Sequence, residues 1–269
     1  MQGWAMMARA LAGAGALALA AAAPAQDSAI PRAQGYAELD TLPDWSGVWA
    51  PDWSLLFNDG GGRTQSQPSL TPTAQQKLDA FRAKQAAEGV DQSAQAHCIP
   101  PGMPSIMRQP YPIEFLFSPG RVTIFTETYS QARRIYTDGR PLPDDPEPYF
   151  NGTSVGHWDG DTLVVDTAGF NPLVSYVAGV PHGDNMTIHE RIWLDRPGVM
   201  RVELTITDPG VLAEPYVQQI AYKKEPTWEI REYVCEENNR LTSGEEGGSN
   251  IDLGLDAAAD DPFGPPPED

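Results

Sequence analysis

Histidine, cysteine and positive charge are all scarce in this chain. Among 269 residues there are two cysteines and four histidines, too few for a multi-cysteine metal cluster or a disulfide-dense scaffold. The 18 Lys and Arg stand against 37 Asp and Glu, a formal net charge of −19. Such a surface repels nucleic acid and anionic lipid, and it disfavours a highly anionic substrate in the absence of a local basic patch. No such patch is visible along the chain, where Arg133-Arg134 and Lys223-Lys224 are isolated pairs. Also missing are a Gly-x-Ser-x-Gly elbow, a phosphate loop and a dinucleotide fingerprint, which leaves serine hydrolase, NTPase and Rossmann chemistry without support. Beyond the N-terminus no apolar run is long enough to span a bilayer.

What is present begins with an Ala/Leu/Gly-rich stretch over residues 1–25, with Arg9 near its start and Ala23-Pro24-Ala25 at its end. It has the form of a signal peptide with an A-x-A cleavage site, and no lipobox cysteine follows. The mature chain is therefore expected in the periplasm or outside the cell. Residues 26–40 read as a polar linker, and 41–240 as a single domain. Residues 241–269 carry eight acids and no base, which reads as a disordered, solubilising tail. In an oxidising compartment the simplest fate of Cys98 and Cys235 is one long-range disulfide.

Within the domain, Ser46–Ala50 is the expected entry to a first strand. Thr71 as N-cap, Pro72 at the first helical position and Gly89 as the stop define an amphipathic helix over 72–88, with Leu78, Phe81 and Gln85 on one stripe. From Cys98 onward the texture changes to short alternating runs separated by Pro, Gly and Asp. Strands are expected at 113–117, 121–126, 131–136, 154–158, 162–167, 186–193, 199–207, 216–223 and 228–234. With no βαβ unit, the fold class is all-β. The expected architecture is an antiparallel up-and-down barrel of about eight to nine strands, since closure removes the unpaired edges.

The Gly47-Val48-Trp49 motif near the first strand, followed by a run of antiparallel strands, resembles the lipocalin-like or calycin barrels. The segments "GHWDGDTLVVDTAGF", "PHGD…ERI" and "EYVCEENNR" are similar to those of a large group of exported bacterial proteins of unassigned function. That resemblance covers roughly residues 95–240. It implies export and a β fold, and it implies no activity.

Candidate site residues follow from strand phase. Met186, Ile188, Glu190 and Ile192 share one face, while His189 and Arg191 share the other. A turn at 195–198 would pair positions near 192/202, 190/204, 188/206 and 186/208. Glu190 then points into an apolar interior. Asp166, His182, Asp184 and Asp208 are expected to gather at one barrel mouth, with Trp49, Trp158, Phe170, Tyr176 and Trp193 as aromatic neighbours. Two functions fit that picture. One is a barrel whose apolar cavity binds a hydrophobic small molecule. The alternative is a cofactor-independent isomerase, hydratase, dehydratase or lyase, with His182 and Glu190 transferring protons and Asp166 or Asp184 orienting the imidazole. Against both stand plainer roles: His182 capping a loop, Asp184 and Asp208 forming turns, and Glu190 paired with a buried arginine such as Arg134. No metal site is expected, because neither His182/Asp184 nor His189/Glu190 has ligand spacing and a disulfide would remove the Cys98 thiolate. No cofactor is implied.

Overall fold

A computed structural model describes residues 35–52, 54, 67–89, 97–235, 241–243 and 249–251. The expected signal peptide and most of the linker and tail lie outside the described residues. Nine strands form one closed barrel in sequence order: β1 (Val48–Pro51), β2 (Ile113–Ser118), β3 (Arg121–Thr126), β4 (Gln131–Tyr136), β5 (Thr153–Asp159), β6 (Thr162–Ala168), β7 (Thr187–Arg196), β8 (Val199–Thr207) and β9 (Tyr216–Lys224). Helix α1 (Pro72–Glu88) has the expected bounds, with the Thr71 hydroxyl accepting from the Ala74 amide and Gly89 stopping it at φ 88°.

Two features depart from the simple meander. β4 and β5 pair in parallel, Ile135 with Ser154 and Tyr136 with Val155, because residues 137–152 carry the chain back along the barrel before β5 begins. The expected last strand at 228–234 does not form. β1 pairs with both β2 and β9, so the barrel closes on its first strand and a tenth strand would find no edge. Residues 228–235 instead lie over the outside: Tyr233 stacks near Tyr111 and Tyr129, and Cys235 bridges to Cys98 across 137 residues of sequence. In the acidic tail, expected to lack regular structure, Leu241–Ser243 (β10) pairs with Ser249–Ile251 (β11). Residues 36–41, at the linker's end, form one 3-10 turn.

The two barrel ends are built differently. One is sealed by tight turns around Gly120, Gly160 and Gly198 and plugged by Trp45 packed on Phe115, Phe117 and Trp158. At the other end are the long connections, including the segment with α1, loop 169–186 and loop 208–215. The α1 segment docks there through Thr71 N to Val211 O at 2.9 Å and Ala213 N to Ser69 O at 2.9 Å. Between the ends, alternate residues of every strand point inward, and Ile188, Ile192, Val202, Leu204, Ile206 and Ile220 form much of the core.

Candidate functional site

Strand β7 has the phase read from the sequence. Ile188, Glu190 and Ile192 are buried while Thr187 and His189 are exposed, and β8 pairs in the expected register, Ile192 with Val202, Glu190 with Leu204 and Ile188 with Ile206. Glu190 is wholly buried and meets Arg133, not Arg134. Ile135 fixes the phase of β4, so Arg133 shares its inward face and Arg134 is exposed. Arg133 grips the carboxylate with both terminal nitrogens, Nη1 reaching Oε1 at 2.9 Å. It also donates to Thr167 Oγ1 at 2.9 Å and to Ser154 Oγ at 3.2 Å. Tyr222 belongs to the same interior; burial first, and then the Glu190 charge, push its phenol well above the usual tyrosine range. Its hydroxyl donates to the Met107 carbonyl at 2.5 Å. A bidentate pair with hydroxyls on its remaining donors is a satisfied structural unit. Glu190 is thereby held by Arg133 rather than presented as a free acid.

The loop-bearing end gathers some of the expected residues and disperses others. Asp208 is buried and accepts from Tyr176 OH at 3.1 Å and from Gly183 N at 3.0 Å, both on Oδ2. Its Oδ1 has no hydrogen-bond partner among the described residues and lies beside Gly183, where an added Cβ would come within 2.6 Å of it. His182 bridges two stretches of loop, Nδ1 to Gly183 O at 2.9 Å and Nε2 to Asn171 O at 3.0 Å, with Phe170 edge-on to its ring. No hydrogen bond joins His182 to Glu190, and each imidazole nitrogen faces a backbone carbonyl, to which whichever nitrogen carries the N–H donates.

Asp166 is not at this mouth. It faces outward from β6 and meets His189 Nδ1 at 2.8 Å on the barrel exterior. Asp184 is exposed on its loop. Trp49 is a core residue whose indole donates to Trp45 O at 2.9 Å. Trp158 plugs the turn end, opposite to Asp208. Phe170 packs beneath the loops in the core. Tyr176, held by Asp208, lines an open space.

That space is a cleft of about 490 Å³ between the barrel mouth and α1. Leu70, Leu78, Phe81 and Val177 supply apolar wall, and Tyr176 and Tyr216 supply aromatic rings. Gln218 lines it from the barrel side. It is inward on β9, level with Leu204 and hence with Glu190, and it is 2 % exposed. Its Oε1 is buried without a hydrogen-bond partner among the described residues. Arg108 and Arg82 also line the cleft, the first from the 3-10 turn at Ser105–Arg108 and the second from α1. Gln218 was legible in principle, as a polar residue in the inward row Tyr216, Gln218, Ile220, Tyr222. The arginines were not, because segments far apart in sequence carry them. Among the described residues, no group of three His, Cys, Asp or Glu side chains is placed to hold a metal ion.

No family model and no curated protein matches the chain. Among solved structures, human cRBP IV matches with 13 % identity and a TM-score of 0.31, over 68 % of this chain and 99 % of that one. The barrel assignment rests on the strand pairing itself.

Proposed function

We propose that the protein binds a small, largely apolar molecule in the cleft at the loop-bearing end of its barrel. One observation carries this reading: Gln218, whose buried carbonyl oxygen has no hydrogen-bond partner among the described residues, lines a cleft whose wall combines Leu70, Leu78, Phe81, Val177, Tyr176 and Tyr216 with glutamine and arginine side chains. A buried acceptor without a partner costs about 1–3 kcal/mol. A ligand with one donor and an apolar body removes that cost while covering the cleft walls, and this is how small-molecule sites are commonly composed. The site is displaced from the barrel axis, where Arg133, Glu190 and Tyr222 stand. Proton transfer between His182 and Glu190 has no comparable support, since Arg133 holds the Glu190 carboxylate and the His182 ring faces backbone carbonyls of its own loops. Export belongs to the same proposal. Its support is the leader-like composition of residues 1–25 and a Cys98–Cys235 bridge suited to an oxidising compartment.

The test is titration with dansylamide, a neutral dye that carries an N–H donor and fluoresces in apolar surroundings, against the wild type and Ala178→Trp. Ala178 is exposed at the cleft lip, so the indole is expected to fill the cleft while the fold and melting temperature are retained. Saturable dye binding by the wild type that is lost in Ala178→Trp supports the reading. Equal binding by both proteins, or none by the wild type, contradicts it.

A further inference from the structure

We infer that the cleft ligand is an aromatic carboxylic acid that also carries a hydroxyl or N–H donor, an inference that rests on the proposed binding function. The charge of the lining departs sharply from that of the protein. Over the whole chain acids outnumber bases 37 to 18, yet the described residues that line the cleft include Arg82 and Arg108 and no Asp or Glu. Among the described residues, neither arginine forms an ion pair, a state they share with Arg121, Arg134 and Arg231, whereas Arg133, Arg140, Arg191, Arg196 and Arg201 do pair. Arg108 is half-buried, and its Nε is buried without a hydrogen-bond partner among the described residues.

Two residues that line this cleft thus each hold a buried polar atom, of opposite sense, without a hydrogen-bond partner among the described residues: the Arg108 Nε–H and the Gln218 carbonyl oxygen. A carboxylate answers the first, because a guanidinium fork matches its two oxygens. A hydroxyl or N–H answers the second. Phe81, Tyr176 and Tyr216 favour an aromatic body between them. A single negative charge suits the site better than a phosphate dianion, which the strongly acidic surface would repel more on approach.

The experiment compares naphthyl-lactate with naphthylpropanediol by calorimetry at low salt. Both carry the ring and a hydroxyl, and only the first carries a carboxylate. The acid is expected to bind at least about tenfold more tightly than the diol, the worth of one charge-assisted hydrogen bond. That preference should shrink as salt is raised. It should be lost in Arg108→Gln and reduced in Arg82→Gln, while the diol binds all three proteins alike. Arg82 is on the exposed side of α1, so its variant keeps the fold even if Arg108→Gln does not. Equal affinity for acid and diol in the wild type, or a preference that survives both substitutions, overturns the carboxylate inference and leaves the cleft as the binding site. Binding of neither probe overturns the inference together with the reading beneath it.

Discussion

Glu190 shows how far one residue can be read from its neighbours. Ile188 and Ile192 flank it at strand spacing, so alternation alone placed it inside the barrel, and it is fully buried. Its partner was harder to read, because Arg133 and Arg134 are adjacent and a one-residue difference in phase exchanges them. The chemistry of His182 was illegible for another reason: its two contacts are backbone carbonyls at Gly183 and Asn171, and loop backbone geometry leaves no periodic trace. The buried pair yields a prediction at this scale. Glu190→Gln should destabilise the protein by about 3–5 kcal/mol, because it strands the Arg133 charge in the core. Arg133→Met combined with Glu190→Leu should recover most of that loss, with Ser154 and Thr167 left hydrogen-bonded to each other at 2.9 Å. Urea unfolding measures both. A double variant no more stable than Glu190→Gln alone would show that the pair is not the self-contained unit described.

At the scale of elements, local signals located most of the structure. Thr71, Pro72 and Gly89 fixed α1 to the residue, and the tight hairpins turn at Pro119-Gly120, Gly160-Asp161 and Pro197-Gly198. Closure was not local. Whether 228–234 becomes a strand depends on β1, nearly two hundred residues earlier, having already taken the free edge of β9. The position of α1 over the cleft is likewise a tertiary matter, and it turns on Gly179. This residue sits at φ 70°, and a Cβ there would lie 2.1 Å from Phe81 Cγ of α1. Gly179→Ala is therefore expected to cost the left-handed backbone conformation, about 1–2 kcal/mol, plus the displacement of α1. In a Phe81→Ala background the same change should cost only the first part. A thermodynamic cycle of the four proteins measures the difference; identical costs in both backgrounds would show that α1 does not press on that loop.

For the whole molecule, shape and charge divide the work between the two ends of the barrel. The turn end is plugged by aromatic rings. At the loop-bearing end lies a cleft lined by two arginines that have no ion-pair partner among the described residues, in an otherwise acidic protein. The Cys98–Cys235 bridge ties the segment before β2 to the segment after β9, and in a chain-entropy treatment a loop of this length stabilises the fold by about 5 kcal/mol. The sequence made the barrel and its bridge readable because strand patterning marks the first and the chain holds only two cysteines for the second. It pointed to a ligand space on the barrel axis; the cleft proposed as the site instead lies beside α1, where distant loops assemble. The most direct test is methyl NMR of the Leu and Val residues during titration with naphthylpropanediol, a neutral probe indifferent to the arginines. Shifts confined to Leu70, Leu78 and Val177 are predicted, with Val122 and Leu163 unmoved; shifts centred on Val122 and Leu163 instead would contradict the account.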